Sequence, residues 1–278
     1  MRQREENRAV VLSIAGFDPS SGAGITSDLK VFAAHRLYGV SAITALTVQS
    51  TQGVRRVEPV AAQTLTEILA CLAEDGPIAG VKIGMLGAAA NVQAVVDFLA
   101  SAGVERRSVV LDPVIRSSSG RALLDAEGVR LLESRLLELV GWVTPNVAEL
   151  GMLAASAGEP QAEVLAAAKA LVGRHPGLRV VATDGEADPP NDLLWTAEQG
   201  ARWFPGEHIE TTATHGTGCA FSSSLLAGVV MGLEDAAAVQ SAKAYVREAM
   251  LAAYPVGRGR GPLHHLYAFD VARDGGLY

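Results

Sequence analysis

Short runs of β-branched and aliphatic residues alternate along this chain with longer Ala- and Leu-rich segments of helical period, and that alternation leaves few folds open. Strand candidates fall at 10–14, 41–46, 81–83, 109–111, 142–144, 180–182 and 193–195. Helix candidates fall between and after them at 24–36, 61–74, 90–102, 126–137, 147–155, 161–174, 218–231 and 233–254. Nearly every early strand run is uninterruptedly apolar, as a parallel strand covered by helices on both faces must be. Strand and helix repeated in this way predict an α/β fold, a three-layer doubly wound and mostly parallel sheet with helices on both faces. No Pro/Ser-rich linker and no internal repeat divides the chain, so 9–278 is expected to form a single domain after a charged, frayed tail at 1–8.

Charge and hydropathy remove several function classes. The formal net charge is −7, and no run of basic residues offers a nucleic-acid surface. The first eight residues lack the apolar core of a signal peptide. No stretch approaches the ~18 uninterrupted apolar residues of a membrane span. Cys71 and Cys219 lie far apart and fit no metal-ligand spacing, so a reduced, cytoplasmic setting is expected. Cys71, among Leu65, Ile68, Leu69 and Leu72, reads as a core residue.

In such sheets ligands bind outside the carboxyl ends of the strands, and polar or glycine-rich clusters fall there. Thr214-His215-Gly216-Thr217-Gly218-Cys219 precedes a small, apolar helix. Its glycines let backbone approach a ligand, while the helix start adds free N–H groups and a positive dipole end, so the turn is a candidate anion site. Cys219, at that helix start, is expected to carry a lowered thiol pKa. Gly16-Phe17-Asp18-Pro19-Ser20-Ser21-Gly22-Ala23-Gly24 is either a flexible strand-to-helix loop or a substrate-side loop. Asp28, on the margin of an Ile25/Leu29/Phe32/Ala33 stripe with no base four residues on, is either a first-turn acid favoured by the dipole or a carboxylate facing the cleft. Asp112 ends a strand before Pro113, a placement that favours a functional role. Asn146 and Glu149 fit a capping box, and Glu149 at the sheet edge could equally order metal-bound water near phosphates. The His264-His265 pair has no further clustered ligands and reads as structural.

Six motifs occur in a fixed order: Ile14 to Ile25, Ser27-Asp28-Leu29-Lys30, Lys82-Ile83-Gly84-Met85-Leu86, Leu111-Asp112-Pro113-Val114, Thr144-Pro145-Asn146 with Glu149, and the turn at 214–219. On these the chain resembles, over residues 10–265, the hydroxymethylpyrimidine/phosphomethylpyrimidine kinases of thiamine biosynthesis, within the ribokinase-like family. The resemblance implies ATP-dependent phosphorylation of 4-amino-5-hydroxymethyl-2-methylpyrimidine and then of its monophosphate, with Mg²⁺. It matches Gly216, Gly218 and Cys219 to the catalytic anion hole, with Cys219 where most ribokinase-like relatives place an aspartate base. It matches Gly16, Asp28, Gln49 and Met85 to the pyrimidine pocket, Asn146, Thr183 and Thr217 to ATP and its phosphates, and Asp112 and Glu149 to the acidic residues near Mg²⁺. A homodimer is expected because relatives commonly form one.

The chain departs from that family pattern twice. Ser118-Ser119-Gly120 stands where Lys-Ser-Gly is frequent, and Thr183-Asp184-Gly185-Glu186 where Lys-Gly-Gly-His is frequent. Two phosphate-side lysines are therefore absent, with Arg116 or Arg121 as candidate replacement cations. Thr183 also resembles some pyridoxal kinases of the same fold, a rival that Gln49 opposes. A ligand-binding paralogue with little turnover is the rival from another class.

Overall fold

The computed structural model describes residues 8–117, 120–155, 164–184 and 189–274. Nine strands form one sheet: β1 Val10–Phe17, β2 Tyr38–Ser50, β3 Gly53–Pro59, β4 Gly80–Ile83, β5 Val109–Leu111, β6 Trp142–Val143, β7 Arg179–Ala182, β8 Asn191–Thr196 and β9 Gly200–Pro205. Their spatial order is β3-β2-β1-β4-β5-β6-β7-β8-β9. Neighbours from β2 through β7 run parallel, whereas β3, β8 and β9 are added antiparallel at the edges. The chain leaves β1 outward to β2 and β3, then returns to the other side of β1 as β4. The β1/β4 boundary is thus the switch point, where two loops diverge and leave a crevice.

Side chains alternate across the strands and sort the helices into two layers. Leu12, Ile14, Val81, Ile83, Val109 and Leu111 pack with α2 (Ala62–Asp75), α3 (Ala89–Ser101), α5 (Val147–Ala155) and α6 (Val164–Arg174). Helix α4 (Ala126–Leu131) runs into a π-turn at Leu132–Leu136 on that side. Val11, Val110, Trp142 and Val181 face the other way, against α1 (Gly24–Ala34), α7 (Thr217–Val230) and α8 (Asp235–Leu251). By the same alternation Ser13 and Lys82, direct partners in the β1/β4 register, point towards α1 and α7. Two polar residues on an otherwise apolar face are the first sign of the site.

Two expectations need correction. Strands β3 and β9, and helix α9 (Tyr267–Asp274), did not stand out in the sequence. The two strands are largely solvent-facing edge pieces, so they lack the apolar run of a doubly covered strand. Cys71 is exposed rather than core. It stands two residues beyond Leu69, which turns it away from the buried Leu65/Leu69 stripe of α2. The tail falls outside the described residues up to residue 7.

Candidate active site

The loop leaving β1 is wound around one carboxylate. Asp18 Oδ1 accepts from the Ser20 N–H at 2.8 Å and Oγ at 2.7 Å, and Oδ2 accepts from the N–H groups of Gly22 at 3.1 Å and Ala23 at 2.9 Å. Burial alone would raise the Asp18 pKa, but these donors and His215 outweigh it and hold the group at about 2. The turn before α7 closes on the same loop. Gly216 caps α7 at φ 86°, and a Cβ there would lie 1.9 Å from the Gly22 carbonyl oxygen. Only glycine satisfies both the left-handed backbone and that approach. No side chain caps α7, so its first N–H groups remain available at the positive end of the helix.

Beneath this turn lies a buried ion pair. Lys82, fully enclosed, donates to both carboxylate oxygens of Asp28 at 3.0 and 3.1 Å. Ser13 Oγ at 2.6 Å and Ser223 Oγ at 2.8 Å complete the Asp28 shell. Burial lowers the Lys82 pKa, yet the charges of Asp28 and Asp112 and the Asp28 hydrogen bonds more than reverse this and keep it an ammonium. Its Nζ is 3.9 Å from Asp112 Oδ2. Asp112 lies beside Cys219 and accepts, at 3.4 Å, from Ser222 Oγ, while burial raises its own pKa.

Two site expectations are overturned here. Asp28 does not face the cleft: its side chain has no accessible surface, and both oxygens are taken by Lys82 and two serines. The Cys219 thiol is not lowered. Burial pushes it up to about 12, with the nearby Asp112 and Asp28 charges adding to the rise and Lys82 and the Gly24 N–H opposing it. The favourable field of the helix start loses to desolvation and two carboxylates.

The remaining candidates gather at the carboxyl ends of the strands. Gly16, next to last in β1, packs against Met85, whose methyl carbon would be 2.6 Å from a Cβ on Gly16. Gln49, half-buried near the end of β2, reaches Nε2 of His215 at 3.0 Å. Asn146 and Glu149 form the capping box, with Glu149 N–H donating to Asn146 Oδ1 at 2.8 Å and Asn146 N–H to Glu149 Oε2 at 3.1 Å. Burial and the Asp112 charge nevertheless push Glu149 up to about 8, so the cap also belongs to the acidic pair. Thr183 bridges Asn146 and donates its N–H to the Pro145 carbonyl at 2.9 Å. Ser118, Gly185 and Glu186 lie outside the described residues. Arg121 is tied to the Arg55 carbonyl of β3 at 2.6 Å. Sequence reasoning assigned no role to Lys82, Ser13, Ser223, Asp18 or His215, although a lysine inside Val81-Lys82-Ile83 was a visible signal.

Residues 18–264 match the family model for phosphomethylpyrimidine kinase. The chain belongs to that family. It is 39% identical over 266 residues to a hydroxymethylpyrimidine/phosphomethylpyrimidine kinase of Rhizobium meliloti (strain 1021), covering 93% of this chain and 97% of that one. It is 35% identical over 269 residues to a thiamine biosynthesis bifunctional protein of Geobacter sulfurreducens, covering 96% of this chain and 54% of that longer protein. An ADP complex of Bacillus subtilis pyridoxal kinase superposes with a TM-score of 0.82 at 27% identity, covering 94% of this chain and 99% of the other. The family's kinases and this neighbour share the three-layer α/β fold described above.

Proposed function

We propose that this chain phosphorylates the hydroxymethyl group of 4-amino-5-hydroxymethyl-2-methylpyrimidine with ATP, and then its monophosphate to the diphosphate, within thiamine biosynthesis. One observation carries the reading: the uncapped N-terminus of α7 sets Gly218 against Asp112, while His215 in the turn just before it reaches Gln49. Fixed N–H donors there suit the charge that develops on a transferring phosphoryl group. The attacking hydroxyl oxygen forms the new bond to the γ-phosphorus as the bond to the departing ADP oxygen breaks. A thiol pushed up to about 12 starts protonated, so it accepts the hydroxyl proton while handing its own to the nearby Asp112 carboxylate.

Asp112 and Glu149 fit a divalent cation, because their mutual repulsion, which helps push Glu149 up to about 8, is what such an ion relieves. Bound there with ATP, Mg²⁺ would supply neutralisation of the phosphates. Asn146 and Thr183, bridged to each other beside Glu149, are on this reading the ATP-side residues. The same reading carries a single kinase domain over 9–278, a cytoplasmic location and a homodimer. Among the described residues no helix is long and apolar enough to cross a membrane.

The likeness to a pyridoxal kinase supports a second reading, phosphorylation of pyridoxal, and the absent lysines a third, binding without useful turnover. A coupled ADP-release assay with the pyrimidine alcohol, its monophosphate and pyridoxal separates them. Turnover of the two pyrimidines well above pyridoxal is expected. Turnover of pyridoxal alone, or of none, overturns the proposal.

A further inference from the structure

Three side chains from distant parts of the chain meet at the pocket side of the anion turn. Gln49 comes from β2, Asp18 from the loop after β1, and His215 from the turn before α7. His215 Nε2 lies 2.8 Å from Asp18 Oδ2 and 3.0 Å from Gln49 Nε2. One ring nitrogen cannot donate to the carboxylate and also accept from the amide. A bare lone pair facing a carboxylate oxygen at that distance would be repelled, and Asp18, held at about 2, is ionised. Nε2 therefore carries a proton, and the amide end that faces it is the carbonyl oxygen, which shares that one N–H with the carboxylate in a three-centre bond. The two ends of an amide are exchanged by a half-turn, and hydrogen-bond partners decide between them.

Thr47 reaches the same answer independently. Its only hydroxyl proton goes to the Phe17 carbonyl at 2.9 Å. Its oxygen, 3.3 Å from the other end of the Gln49 amide, can then only accept, which requires the amide NH₂ on that side. Both neighbours demand the same half-turn. We propose that His215, held by Asp18, is a positioning residue that locks the Gln49 amide in this orientation and so makes the pocket select an aminopyrimidine edge.

The donor count leaves Gln49 one carbonyl lone pair and one N–H for a ligand. A 4-aminopyrimidine offers the complement, an exocyclic N–H and a ring-nitrogen lone pair. Its 4-oxo counterpart offers the reverse, a carbonyl and a ring N–H. A free glutamine could turn to suit either, whereas one clamped by His215 and Thr47 cannot. The inference rests on the pyrimidine reading of the pocket and adds the device that sets its selectivity.

The test compares kcat/KM for the 4-amino alcohol and its 4-oxo analogue in the parent, His215→Phe, His215→Gln and Asp18→Asn. A site built for hydrogen bonds rejects a mismatched edge by about 10⁴-fold, and His215→Phe should shrink that preference at least about tenfold. The loss should fall on KM for the pyrimidine and spare KM for ATP. His215→Gln, which keeps a donor towards Asp18, should retain most of the preference, and Asp18→Asn should weaken it. An unchanged preference in His215→Phe and Asp18→Asn overturns the proposal. ¹⁵N spectra of the ligand-free parent, with His215 assigned by its loss in a variant, should show the Nε2–H form. An Nδ1–H tautomer overturns the inference even if neither pyrimidine is a substrate, the outcome that would instead sink the function proposed above.

Discussion

Lys82 and Asp28 neutralise each other where no water reaches either. Removing the ammonium alone leaves a buried carboxylate with only two hydroxyl donors. Breaking a buried pair in this way costs about 3–5 kcal/mol, whereas replacing both partners with apolar groups is often near neutral. Lys82→Met should therefore lower the denaturant midpoint markedly, and Lys82→Met with Asp28→Leu should recover most of the loss. A double variant no more stable than the single one would show that Lys82 acts through its stem rather than its charge. The two cysteines make a second contrast. Cys71 is exposed, whereas the Cys219 thiol is pushed up to about 12. Alkylation near neutral pH should label Cys71 first, with little loss of turnover, because the thiolate is the reactive form. Cys219→Ala should fold and still bind both substrates but lose at least about tenfold in kcat, the low end for a positioned proton acceptor. Turnover like the parent's would leave only the backbone N–H groups with a role.

At the level of elements, the start of α5 joins a cap to a charge pair. The folded protein holds the Glu149 proton up to about 8, whereas an ordinary glutamate loses it near 4.5. Between those values the native state binds more protons than the unfolded chain, so stability falls as pH rises and levels off above about 8. Glu149→Gln keeps an oxygen to accept the Asn146 N–H and should flatten that fall in thermal unfolding. Mg²⁺ should raise the Tm of the parent above about pH 8 and not near pH 4.5, where the acid is protonated, and do neither in Glu149→Gln. An equal pH slope in both proteins would detach Glu149 from the acidic pair. The same elements show what sequence could reveal. Buried parallel strands such as Val109–Leu111 announce themselves, because both faces must be apolar. The capping box was legible because its partners are three residues apart. The Asp28–Lys82 pair was not, because 54 residues separate its members and only the packing of α1 over the β1/β4 pair brings them together. The thiol of Cys219 misled for a related reason: its helix start is local, but the carboxylates that outweigh it arrive from other elements.

Across the whole molecule, a net charge of −7 sits uneasily with a polyanionic cosubstrate. With lysine absent at 183 and an acid at 184, Thr183→Lys combined with Asp184→Gly should tighten ATP binding and reduce the Mg²⁺ concentration needed. The Asp184 N–H bond to Asp192, at 2.9 Å, is a backbone contact that the glycine retains. Unchanged ATP affinity by calorimetry would mean that this loop faces away from the phosphates. Helix α7 has a consequence of another kind. Every residue from Ala220 to Val229 is buried, between β4 and β5 beneath and α1 and α8 around it. A ribosome delivers it some 200 residues after β1, a wait on the order of ten seconds or more at about 5–20 residues per second. Until then one face of the central sheet has only α1 to cover it, and the loop around Asp18 has no Gly216 to close upon. Nascent chains stalled before Thr217 should stay protease-sensitive and chaperone-bound, and those stalled once α8 has emerged should not. Equal resistance at both lengths would mean that the early strands find another roof while they wait.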